Sequence, residues 1–228
     1  MPKPQARHRV IMARPREFDE TAALDAAVRC FCAHGYEATS VRDLAARMGI
    51  TGASLYNAFG DKRALYRRAL DHYRNQSVRE RIIRLESTLA PRQAIQAYFA
   101  EIIGRATCTR PTRGCMLVHC ALEVAPHDPE FRRIVARELD EIEGFFCRTL
   151  RAGQQAGVIA ARHSAPDMAR LLLGVVLGIR VLAGTRPQKE FLEGVARPAL
   201  ALLGEAAPAG AALMPAEIPP FSLPPAMI

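Results

Sequence analysis

Between residues 19 and 73 the chain repeats one arrangement: a capping residue, a short apolar stripe at helical spacing, then a break. Asp19 precedes Leu24, Ala27, Val28 and Phe31, spaced i, i+3, i+4, i+7, and Gly35 follows. Apolar residues at that spacing fall on one face of a helix, and glycine readily takes the left-handed conformation that closes it. Ser40 and Asp43 then stand at capping-box spacing, with aspartate where Glu or Gln is preferred. Val41, Leu44, Ala45 and Met48 repeat the same face. Gly49-Ile50-Thr51 interrupts the chain, and Thr51 can cap a third segment, Gly52 to Phe59, whose Leu55 and Phe59 share an inner face. Gly60-Asp61 closes that segment and opens a longer helix through Leu65, Ala69 and Tyr73.

The rest of the chain reads as further helices near 76–88, 91–107, 114–125, 128–156, 165–184 and 188–204. Pro91, Pro111, Pro126, Pro166 and Pro187 fall at the joints, where a missing N–H does least damage. β-branched and aromatic residues are scarce, which favours helix over sheet. No strand pattern or internal repeat is visible. Half of the 228 residues are hydrophobic, enough for one or two packed cores. From 205 onward six prolines and many alanines predict a disordered tail. The expected division is a basic arm at 1–17, a head at 18–74, a body at 75–204 and the tail at 205–228.

The net charge of +8 is uneven. Residues 1–75 carry 13 Lys/Arg against 8 Asp/Glu, and the remainder carries 18 against 15. A basic first third suggests a head that meets a polyanion, although a merely solvated basic face would give the same balance. The longest strongly apolar stretch, Leu171 to Ile179, is far shorter than the ~20 residues that span a bilayer. No signal-peptide pattern follows the basic N-terminus, and the six cysteines make no CxxC pair or zinc-finger spacing. These features predict a cytoplasmic chain with reduced thiols, no metal centre, no cofactor and no membrane partner.

Three short helices joined by tight turns predict a helix-turn-helix, the second and third helices forming the motif proper. One helix braces against the DNA backbone while the next enters the major groove, ~12 Å wide. Small residues at the start of the third helix let its backbone approach the bases. The stretch GYEATSVRDLAARMGITGASLYNAFGDKRALYRRAL resembles the DNA-binding domain of the tetracycline-repressor-like (TetR/AcrR) family. The resemblance is strong over residues 18–73, and Leu55 to Leu65 is its most specific part.

That resemblance implies an all-α fold, with the head followed by a helical ligand-binding and dimerisation bundle. It implies phosphate contacts from Thr39, Ser40, Thr51, Tyr56 and Lys62, and groove-facing positions at Arg42, Gly52, Ala53, Ser54 and Asn57. Many relatives carry His just before the Phe; this chain has Ala58, which removes one expected backbone contact. Residues 1–17 have two readings: a basic arm that reaches a groove, or a chain whose family-like start is Met12. The implied function is a dimeric repressor that binds a palindromic operator in double-stranded DNA and leaves it when a small-molecule inducer binds.

Resemblance weakens beyond residue 75, although Gly114-Cys115-Met116-Leu117 and Pro126-His127-Asp128-Pro129 look like a recurring segment of one subgroup. Ala169 to Ala183 is apolar nearly all round, with Gly174 and Gly178 four apart, and suits a dimer interface. Pocket candidates combining apolar bulk with polar handles are Tyr98, Phe99, Ile102, Met116, His119, Phe145 and Phe146. Cys115 follows Gly114 at an expected helix start, near Arg110 and Arg113, which would make it a reactive thiol. The alternative function is therefore a repressor switched by oxidants or electrophiles at Cys115. Cys115 and His119 share a helical face, but a metal site there lacks a fourth partner. An enzyme is the remaining alternative, and no paired carboxylates, nucleophile elbow, phosphate loop or HExxH supports it.

Overall fold

The structure, a computed structural model, describes residues 18–107 and 114–204. The arm at 1–17, the tail at 205–228, and Cys108, Arg110 and Arg113 lie outside the described residues. Among those described, every regular element is helical: α1 (Glu20–His34), α2 (Val41–Met48), α3 (Gly52–Phe59), α4 (Lys62–Arg74), α5 (Glu80–Thr88), α6 (Pro91–Thr107), α7 (Met116–His119), α8 (Pro129–Gln155), α9 (Ala165–Leu182) and α10 (Lys189–Ala201).

The N-cap signals act as expected, whereas Gly35 closes α1 with φ +78° and ψ −176° rather than in the left-handed helical conformation. Asp19 accepts from the backbone N–H groups of Thr21 and Ala22, Ser40 from that of Asp43, Thr51 from that of Ser54, and Asp61 from that of Ala64. Each cap satisfies amide donors that the helix itself leaves unpaired. The expected separate helix at 76–88 is instead continuous with α4. Asn75–Arg79 forms a π-turn between α4 and α5. No Gly or Pro stands there to break the chain, so the helix widens rather than ends. A second π-turn, Cys120–Val124, extends the four-residue α7.

α1, α2 and α3 pack into the head, and α4 runs out of it toward the body. Head and body share a continuous core. Phe31 and Tyr66 meet edge to face at 4.7 Å, and Tyr66 packs on Phe131 of α8 at 5.5 Å. In the body α8 and α9 make the most extensive pairing, flanked by α6 and α10. Leu172, Val176 and Ile179 line the inner face of α9 and are fully buried, worth about 1.5–3 kcal/mol each against exposure.

Candidate DNA interface and its connection to the helical body

α2 and α3 are held from beneath by Leu44, Leu55 and Phe59, all buried. That anchorage leaves the opposite face of α3 free: Gly52, Ala53, Tyr56 and Asn57 are exposed, and Ser54 is half-buried. Tyr56 is 54% exposed, so it is not a core residue. Thr51 and Ser40 occupy the N-caps of α3 and α2, with Arg42 exposed at the second position of α2. Their exposed positions put hydroxyls at two helix N-termini, where partial positive charge favours a phosphate. Lys62 opens α4 with its ammonium 4.3 Å from the centre of the Tyr36 ring and 3.5 Å from the Glu37 carbonyl. Thr39 differs from its neighbours: it is buried, and its hydroxyl donates to the Gly35 carbonyl at 2.6 Å.

Much of the head's basic excess is spent within the protein. Arg63 pairs with Asp128 and Glu130 at 2.8 and 2.6 Å, and Arg67 with Glu130 at 2.9 Å. Arg68 pairs with Glu20, and Arg74 with the buried Glu138. Arg42 and Lys62 make no ion pair among the described residues, which leaves them available to an external anion.

Two contacts tie the turn ahead of α2 to the body. The Glu123 carboxylate, in the second π-turn, accepts from the backbone N–H groups of Tyr36 and Glu37 at 2.7 and 3.0 Å. Burial opposes the charge of Glu123, but those amides and His119 outweigh it and hold the carboxyl below the usual range. Gly35 takes φ +78°, and a Cβ there would stand 2.2 Å from a Glu123 oxygen. Gly114 packs on the end of α1 just as closely, where a Cβ would fall 1.6 Å from the Cys32 carbonyl oxygen.

The pocket candidates divide into two places. Tyr98, Phe99, Phe145 and Phe146 form one buried aromatic cluster with ring centres 5.1 to 6.0 Å apart, and Ile102 and Met116 are buried as well. His119 lies instead at the junction with the head, its Nδ1 2.8 Å from Glu123. An open groove of about 610 Å³ between α6 and α10 includes Phe99 but none of the other candidates.

Cys115 sits in a polar cluster that sequence reasoning did not reach. Arg180 of α9 lies 3.2 Å from its Sγ, and the Tyr73 hydroxyl lies at 3.4 Å. Burial opposes ionisation of Cys115, but the Arg180 guanidinium, the Tyr73 hydroxyl and the amides of Val118 and Leu117 hold the thiol below its ordinary value. Burial, with Cys115 beside it, pushes Tyr73 well above its ordinary value against the pull of Arg180. Cys32 and Cys120, buried without such a cation in contact, are pushed up to about 12. The one sequence signal for Arg180 is its position as the charge that ends the apolar run Leu171 to Ile179 within α9. Among the described residues no group of His, Cys, Asp and Glu could hold a metal ion, and no helix is long and apolar enough to cross a membrane.

Known proteins share both halves of this architecture. Residues 23–69 match the bacterial regulatory proteins of the tetR family, and residues 91–197 match the tetracyclin repressor-like C-terminal domain. YezE of Bacillus subtilis, an uncharacterized HTH-type transcriptional regulator, is 31% identical over 80% of this chain and 94% of its own. ComR of Escherichia coli, an HTH-type transcriptional repressor, is 28% identical over 84% of this chain and 92% of its own. A cysteine mutant of the TetR-family regulator CifR, solved with 26-base-pair operator DNA, superposes with a TM-score of 0.74 at 33% identity, covering 84% of this chain and all of that one. With a capped helix-turn-helix joined to a helical body, and with both domains matched, the chain belongs to the tetR family of bacterial transcriptional regulators.

Proposed function

We propose that this protein is a ligand-responsive transcriptional repressor. It binds a palindromic operator as a homodimer through residues 18–74 and leaves the DNA when a small molecule occupies the body at 75–204. The observation that carries this reading is the exposed face of α3, held from behind by Leu55 and Phe59 and flanked by hydroxyl caps and Lys62. The operator-bound CifR relative and the repressor ComR support it. The reading assigns no catalytic step to the chain and places it in the cytoplasm with its DNA. Arg42, Gly52, Ala53, Ser54 and Asn57 are its groove-facing residues, and Ser40, Thr51, Tyr56 and Lys62 its phosphate contacts. Thr39 serves from behind, fixing the turn through Gly35.

Phosphate contacts carry no base sequence, so Lys62→Ala and Tyr56→Phe should weaken binding to every operator variant alike. Loss of Lys62 should also lower the salt slope by about 1 per protomer. A filter-binding titration tests this. Unchanged affinity in both variants would remove these residues from the interface.

A second reading is favoured by one contact, that of Arg180 with Cys115. A guanidinium beside the thiol eases its ionisation, which favours reaction of Cys115 with oxidants or electrophiles. In that reading the signal is modification of Cys115, and DNA is released by the same movement of the body.

A further inference from the structure

The interior of the body holds hydrogen-bonding groups that find no partner among the described residues. Arg81 is 4% exposed; its Nε lies 3.1 Å from Glu101, yet its Nη1 has no partner among the described residues. The Tyr98 hydroxyl is fully buried and likewise has no partner. These two groups are neighbours, the Arg81 guanidinium standing 5.5 Å from the centre of the Tyr98 ring. Arg180, half-buried, has Tyr73 and Cys115 as partners and no carboxylate among the described residues. The nearest acid on the Arg81 side, Glu101, is already shared with Arg84 at 2.8 Å. Tyr98 lies within electrostatic reach of Arg180.

Buried donors without acceptors are costly, and a buried cation whose one carboxylate is shared with a second arginine is poorly compensated. A bound anion removes both costs at once, and guanidinium groups match the geometry of an acid group. Beside them Phe145 and Phe146 pack on the Tyr98 ring at 5.4 and 5.2 Å, an apolar surface next to the charge.

We propose that the inducer is a small organic acid with an apolar body, its acid group held by Arg81, Arg180 and the Tyr98 hydroxyl and its apolar part set against the aromatic cluster. This rests on the ligand-responsive reading above and narrows its ligand to one chemical class. The acid group also competes with Cys115 for Arg180, so a bound acid raises the thiol back toward its ordinary value.

The test uses the full-length dimer with matched pairs: butyrate, octanoate and phenylacetate, each beside its uncharged primary amide. At least one acid should raise the melting temperature while its amide does not. Its apparent affinity should fall about tenfold or more in Arg81→Gln and Arg180→Gln. Tyr98→Phe guards against loss of fold, because it deletes only an oxygen that has no partner in the protein. It should leave the ligand-free melting temperature unchanged and still weaken the acid. Amides that bind as well as their acids, three acids that all fail to shift the melting temperature, or undiminished affinity in Tyr98→Phe and Arg81→Gln would each overturn the proposal. An acid that binds as described but leaves the operator complex intact would keep the anion site and remove the ligand-responsive reading instead.

Discussion

Cys115 shows how one residue's chemistry is set by the groups around it rather than by its own segment. Its sequence neighbours Arg110 and Arg113 suggest a cation; among the described residues a cation in contact comes from α9, 65 positions along the chain. The thiol is also 4% exposed, whereas Cys147 is only half-buried. Ionisation and access therefore act in opposite directions on its reactivity. Absolute alkylation rates at Cys115 and Cys147 will mix the two, but the pH midpoint reports ionisation alone. With its thiol held below the ordinary value, Cys115 should be alkylated with a midpoint below that of an ordinary cysteine, and Arg180→Gln should move the midpoint up. Mass spectrometry of alkylated peptides across a pH series checks this. For the switch reading, Cys115→Ser should also resist oxidant-induced release of operator. A midpoint that ignores the Arg180 substitution would show that the guanidinium does not govern the thiol.

α9 is the element whose two faces make the strongest prediction. Met168, Leu172, Val176 and Ile179 turn inward, while Leu171, Gly174, Gly178 and Val181 form an outer stripe. Leu171 is 43% exposed and Val181 54%. A Cβ built on Gly178 meets nothing within 4 Å, so the protomer itself has room for a side chain. Gly178→Arg should therefore leave each chain folded and break the dimer, because the charge would be buried against the partner without a counter-ion, at about 3–5 kcal/mol. Light scattering should show monomers with unchanged helical circular dichroism; a folded dimer would place the interface on another helix. The two-sided apolar character of α9 was legible in the sequence, as were the caps of α1 to α4, because both depend on residues within a few positions of one another. The continuity of α4 into α5 was not, since a π-turn leaves no Gly or Pro behind. Nor were the Arg180–Cys115 and Arg74–Glu138 pairs, which join residues 65 and 64 positions apart. The phosphate role implied for Thr39 met a local competitor, the Gly35 carbonyl, that only the folded turn provides.

For the whole molecule the question is how an event in the body reaches α3. The structure offers a short route: Cys115 opens α7, α7 widens into the π-turn that carries Glu123, and Glu123 grips the amides of Tyr36 and Glu37. Those amides lie just ahead of Thr39 and Ser40, which fix the start of α2. A parallel route, through Arg63 and Arg67 to Asp128 and Glu130, runs between exposed or half-buried charges and is weakened by solvent. Two helices must sit about 34–36 Å apart to meet successive half-sites, so a small rotation of each head is enough to lose DNA. Glu123→Ala removes the grip and leaves the amides to water. Hydrogen bonds to a charged acceptor contribute roughly 1.5–3 kcal/mol, so exchange at Tyr36 and Glu37 should accelerate about 10- to 150-fold. Operator affinity should fall with it, because the turn before α2 is no longer held. Backbone hydrogen exchange resolved by NMR reads the first effect and a gel-shift titration the second. Unchanged exchange at both amides would mean that Glu123 does not hold the turn in solution, and the coupling would then have to run through α4 and α8.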